Sequence, residues 1–134
     1  MFWLSHHPPE EWNRTYRLGG VRVCARCLGT YPVLFAVLGL QLALRAPLAF
    51  AAELPVVLLL TLPALLDWAR GRFAPERGTN WGRTLTGVLL GLALGRSVYV
   101  HLRSPWPPVL RGQLLLIGAV ALPVLAMAWR RNRG

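Results

Sequence analysis

Lysine is absent from this 134-residue chain, which also holds only two cysteines and five acidic residues. Without lysine, the formal net charge of +10 rests on fifteen arginines alone. With Cys24 and Cys27 as the only thiols, no second cysteine pair exists to relay electrons, which weighs against an electron-transfer chain. Missing too is the apolar–polar alternation of a soluble domain; the apolar residues come in four long blocks with charge lying between them. No cleavable signal is expected either, because Met1-Phe2-Trp3-Leu4 is too short for its apolar core. The first membrane helix is therefore expected to act as the targeting element.

What remains reads as an all-α membrane protein with four transmembrane helices and a short polar N-terminal head. Hydrophobic residues make up 54% of the chain, and two blocks reach, without a charge, the roughly 17 residues that a bilayer crossing needs. The head is expected over 1–27, broken by Pro8-Pro9 and Gly19-Gly20, with Glu10-Glu11-Trp12 starting a short helix. Spans are expected at about 28–44, 46–66, 84–100 and 113–129, followed by a basic tail at 130–134. Pro55 and Pro63 fall inside the second span, as membrane helices allow.

Arginines at the ends of apolar blocks fit membrane orientation rather than nucleic-acid binding. The head, the second loop and the tail hold eleven (14, 17, 22, 26, 70, 72, 77, 83, 130, 131 and 133), whereas the other side holds Arg45, Arg103 and Arg111. Both termini are accordingly expected in the cytoplasm, where a permanent disulfide between Cys24 and Cys27 is disfavoured. Six tryptophans lie near expected interfaces, as an aromatic belt would. Arg96 falls inside the third span, and Glu53 and His101 toward the outer face; none of the three is assigned a role. Gly87, Gly91 and Gly95 form a bare stripe suited to close helix contact, either within the chain or in a homo-oligomer.

The chemistry-bearing cluster is Cys24 and Cys27 with the upstream pair His6 and His7. Two thiolates and two imidazoles complete a tetrahedral zinc set, although this spacing matches no common zinc-finger template. Structural zinc, a functional metal site, and a thiol redox pair or plain buried cysteines all stand as readings. A second polar group follows the second span: Asp67, Glu76, Arg77, Thr79, Asn80 and Arg83. Either Asp67 pairs with an arginine to staple the loop, or Asp67 or Glu76 serves as metal ligand or general base. In the second case Arg77 and Arg83 hold a phosphate or carboxylate.

In order along the chain, His6, Pro9-Glu10, Val23-Cys24-Ala25-Arg26-Cys27, Gly29 and Tyr31 precede Leu62-Pro63, Asp67, Thr79-Asn80, Arg83 and Thr86-Gly87. This succession resembles a family of small prokaryotic membrane proteins called domain of unknown function 2085, over roughly residues 5–95. Two positions depart from the family pattern: Ser5 stands where it has its first cysteine, and Leu28 where it has threonine. The resemblance implies the topology and the site's location, and a prokaryotic inner-membrane setting, without supplying a reaction. A three-cysteine, one-histidine site is not carried over intact; either His7 takes the missing place or the site has lost affinity.

The expectation is thus a zinc-binding membrane protein whose site faces the cytoplasmic leaflet and acts on a phosphate-bearing lipid or small anion. A structural module in which the metal only orders the head is the alternative. Thiol redox chemistry, or a small transporter that would have to be oligomeric for want of an inverted repeat, ranks behind it.

Overall fold

The computed structural model describes residues 9–134, with side chains from residue 11 onward; His6 and His7 lie outside the described residues. The head is more ordered than its turn-rich composition implies. A 3-10 turn at Pro9–Arg14 leads into strands β1 (Thr15–Leu18) and β2 (Val21–Cys24), paired antiparallel as a hairpin. Gly19 and Gly20 both take positive φ (54° and 85°), the two-residue turn whose twist matches paired strands. Arg17 and Arg22 face each other across the hairpin. Their repulsion is eased because the Arg22 guanidinium stacks 4.1 Å above the Trp12 ring.

Helix α1 (Ala25–Leu44) follows β2 without a linker, so it starts three residues before the expected Leu28 and contains Cys27. The expectation stopped the helix where charge began, but Arg26 is tolerated because Asp67 pairs with it. Arg45 closes α1 in the left-handed region (φ 50°), and residues 46–52 are not helical. Helix α2 (Glu53–Phe73) consequently starts later than expected, with Pro55 in its first turn, where a missing N–H costs nothing. It also runs beyond Asp67 by almost two turns, so Asp67 is interior rather than terminal. Helix α3 (Asn80–Arg103) is capped by Thr79, whose hydroxyl accepts the Gly82 N–H at 3.0 Å. Helix α4 (Pro108–Arg133) starts on a proline at its first position.

All four helices are long and apolar enough to cross a membrane. At 1.5 Å per residue, even the 20 residues of α1 reach the roughly 30 Å of a hydrocarbon core. They pack in the spatial order α1–α3–α2–α4, with α3 only brushing α4. The closest seam is the parallel pair α1 and α3. There Gly87, Gly91 and Gly95 lie against Arg26, Thr30, Leu34 and Val37 of α1, and Gly29 lies against Thr84 of α3. The glycine stripe is thereby filled within the chain. Across the other seams, Val57, Ala93, Tyr99, Val100 and Val109 form the buried apolar cluster. Gln113 of α4 donates to Thr61 of α2 at 2.9 Å, a fully buried polar tie.

Candidate functional site

Both chain-entry points of the helical layer meet at one end. The hairpin, the start of α1, the last turns of α2 and the start of α3 enclose a cavity of about 490 Å³. Cys24 and Cys27 reach it because β2 ends on Cys24 and Cys27 follows within the first turn of α1. Cys24 is buried, Cys27 is partly exposed, and neither is in a disulfide. Among the described residues no group of three or more His, Cys, Asp or Glu side chains is placed to hold a metal. The described chain thus supplies two thiols of the expected zinc set, and the His6–His7 call lies beyond it.

Asp67 lines the same cavity and forms an ion pair with Arg26, tying α2 to α1 rather than stapling the loop. Arg83 lines it too, from the first turn of α3, and is only 7% exposed. Its guanidinium donates to Asn80 Oδ1 and to the Arg77 carbonyl, both at 3.3 Å. Glu76 and Arg77 are exposed and do not line the cavity, so of that loop's expected pair only Arg83 reaches it. Gly78 (φ 98°) makes the turn that brings Arg83 beside Asp67; a Cβ there would lie 3.6 Å from one and 3.9 Å from the other.

Two further arginines enter from segments expected to be polar head and loop. Arg14 donates to the Gly71 carbonyl at 3.0 Å, docking the head on α2. Arg72 approaches the Trp68 ring, 5.4 Å from its centre. Thr84 completes the dock: its Oγ1 lies 3.0 Å from the Ala25 carbonyl oxygen and 3.2 Å from Tyr16 Oη. One hydroxyl proton serves one carbonyl at a time, while the tyrosine donates to the same oxygen.

A family model described as a predicted membrane protein, DUF2085, matches residues 9–96. That is about two-thirds of the chain. The chain belongs to the DUF2085 family. The match takes in the hairpin, both cysteines, Asp67, Arg83 and α3 as far as Arg96, and leaves out α4. No curated protein and no solved structure gives a significant match. This DUF2085 protein is therefore a membrane protein with several candidate spans, whose head-side cleft gathers thiols, a half-buried arginine–aspartate ion pair and further arginines.

A second polar cluster, at the opposite end of the helices, escaped the sequence reading. Arg96 of α3 donates from Nε to Glu53 Oε1 at 2.6 Å, from Nη1 to Gln41 Oε1 at 3.0 Å and from Nη2 to the Pro47 carbonyl at 2.8 Å. Tyr99 Oη donates to the Ala46 carbonyl at 2.7 Å beside it. One guanidinium thus fastens α1, α2 and the loop between them. The available signal was the pairing of an acid in one span with a base in the next, near the same face.

The ion pair of Asp67 with Arg26 predicts a specific stability loss. Asp67→Asn leaves Arg26 without its counter-charge beside Arg83 and Arg14. The variant is expected to lose about 1–3 kcal/mol, because a charged hydrogen-bonded partner is removed. Chemical unfolding in detergent micelles, followed by circular dichroism, checks this.

Proposed function

We propose that this DUF2085 protein is an inner-membrane metal-binding protein whose head-side cleft faces the cytoplasm and acts on a phosphate-bearing lipid or small anion. Zinc is held by Cys24 and Cys27, with His6 and His7 completing the set. The observation that carries this reading is the shared cavity: both sulfur-bearing residues line the space that Asp67 and the arginines also line. Two neighbouring thiols suit zinc, and Cys27 is partly exposed while lining the cavity. When bound, zinc would supply a Lewis acid at the cleft. Asp67 and Arg26 fix the wall, and of the two expected acids Asp67 alone lines the cleft and is the candidate for proton handling. Orientation follows from the arginines, eleven at the head-side end against four at the other, Arg96 included.

One observation favours a second reading, in which the metal only orders the head. Cys24 is 5% exposed and sits where the hairpin joins α1, opposite Thr15 in the strand register. A metal there would lock the hairpin to the helix.

Protein purified without chelators is expected to carry about one zinc per chain by elemental analysis. The Cys24→Ser/Cys27→Ser variant is expected to carry none. Metal-free wild-type protein would sink the proposal. If the metal only orders the head, zinc removal would abolish hairpin protection in hydrogen exchange while leaving anion binding at the cleft intact.

A further inference from the structure

We infer that the head-side cleft is a binding site for a phosphate monoester dianion, anchored by the buried Arg83. The inference deepens the anion half of the proposed function and rests on it. Its basis is a charge imbalance. Among the described residues, Arg14, Arg26, Arg72 and Arg83 line the cavity against two carboxylates, Glu11 and Asp67. Asp67 is taken by Arg26, and Glu11 lies 3.7 Å from Arg14. Among the described residues no carboxylate pairs with Arg72 or Arg83. The described lining residues therefore leave the cavity a net charge of about +2, which the single Asp67 carboxylate, shared between Arg26 and the neighbouring Arg83, does not cancel.

Arg83 makes the imbalance costly. It is the one arginine in the buried polar set, with 7% exposure, and a guanidinium withdrawn from water demands a counter-charge. Its two acceptors are neutral and stand at 3.3 Å, longer than the roughly 2.7–2.9 Å of a charge-assisted bond. It also occupies the first turn of α3, where the helix dipole is positive and disfavours a cation. An anion in the cleft relieves all three penalties at once. The planar guanidinium fork suits phosphoryl oxygens, and the helix N-terminus adds to the attraction.

The charge count selects the class. A phosphate monoester carries about −1.5 to −2 at neutral pH, whereas a diester carries a single charge. The lining's net charge of about +2 matches the monoester. The volume of about 490 Å³ accommodates more than a bare phosphate and falls within the range of small-ligand pockets. Two sources share this chemistry: a lipid with a terminal phosphate, reached from the adjacent leaflet, and a soluble phosphate monoester.

The test uses the full chain in nanodiscs of zwitterionic phosphatidylcholine. Glycerol phosphate is titrated calorimetrically as the soluble probe. Separate nanodiscs containing phosphatidic acid or the diester phosphatidylglycerol give the lipid arm, read as retention of each lipid by the purified protein. Saturable binding of glycerol phosphate or preferential retention of phosphatidic acid supports the site, and which of them occurs names the source. Arg83→Gln is expected to weaken binding at least about tenfold, as loss of a charged anchor does. Arg72→Gln, at an exposed position, reports on the second charge without risking the fold and is expected to weaken binding by about the same order. Arg77→Gln, which offers the site only a backbone carbonyl, is expected to bind as the wild type does. No binding of either monoester overturns the inference. So does equal retention of the diester, or unchanged binding in both folded Arg83→Gln and Arg72→Gln proteins. Zinc is measured on the same samples. Zinc-free protein that binds phosphate keeps this inference and sinks the metal half of the proposed function, and zinc-loaded protein that binds no phosphate does the reverse.

Discussion

Glu53→Gln is expected to destabilise the protein by about 3–5 kcal/mol, the cost of leaving one member of a buried ion pair uncompensated. The side chains of Arg96 and Glu53 are only 13% and 12% exposed, so water replaces the lost carboxylate poorly. Arg96→Met is expected to fall in the same range. It releases Glu53, Gln41 and the Pro47 carbonyl together, and thus the loop between α1 and α2. The double variant Glu53→Gln/Arg96→Met should lose much less than the sum of the single losses, because it buries no lone charge. Equilibrium unfolding in mixed micelles, arranged as a double-mutant cycle, measures the coupling. Additive losses would show that the two side chains act independently. The effect is structural and leaves the head-side cleft untouched, so zinc content and phosphate binding should persist wherever the variants fold.

Gly29→Ala is the second large effect. A Cβ at Gly29 would meet the Thr84 carbonyl oxygen of α3, and backbone cannot yield as a flexible side chain can. The expected loss is about 3 kcal/mol, at the upper end of overpacking penalties, as α1 is pushed off α3. Gly39→Ala is the control on the same helix. Nothing lies within 4 Å of a Cβ there, and its expected change is under about 1 kcal/mol. Because the hairpin rides on α1, Gly29→Ala should also loosen the head, which hydrogen exchange at Val21–Cys24 would register. Equal behaviour of the two alanine variants would refute a backbone-to-backbone seam between α1 and α3.

The outcome at particular residues shows how far sequence patterns reach. Gly87, Gly91 and Gly95 announced a close helix contact through their spacing, but not which helix fills it. Contact with α1 depends on a parallel pairing that skips over α2. The hairpin was legible in principle, since Gly19-Gly20 joins two short β-prone runs. Its arginines made the head read as loop instead; Trp12 and Thr15 accommodate one of them. Helix ends were misplaced wherever a charge had a distant partner. Arg26 permits an early start to α1 because of Asp67, and Glu53 stands at the start of α2 facing Arg96.

The sequence by itself determined that the chain enters a membrane, how many times its apolar blocks can cross, and that thiols, Asp67 and Arg83 lie at one end. Length and hydropathy suffice for that, because a hydrocarbon core imposes one dominant rule on every segment. The tertiary structure alone decided which charges are satisfied. Arg26 and Asp67 are 41 residues apart, and Arg96 and Glu53 are 43 apart, so no local periodicity encodes either pair. Only their closure reveals that Arg83 is buried at the cavity without an ion-paired carboxylate among the described residues, since what a charge lacks is defined by what every other group has already taken.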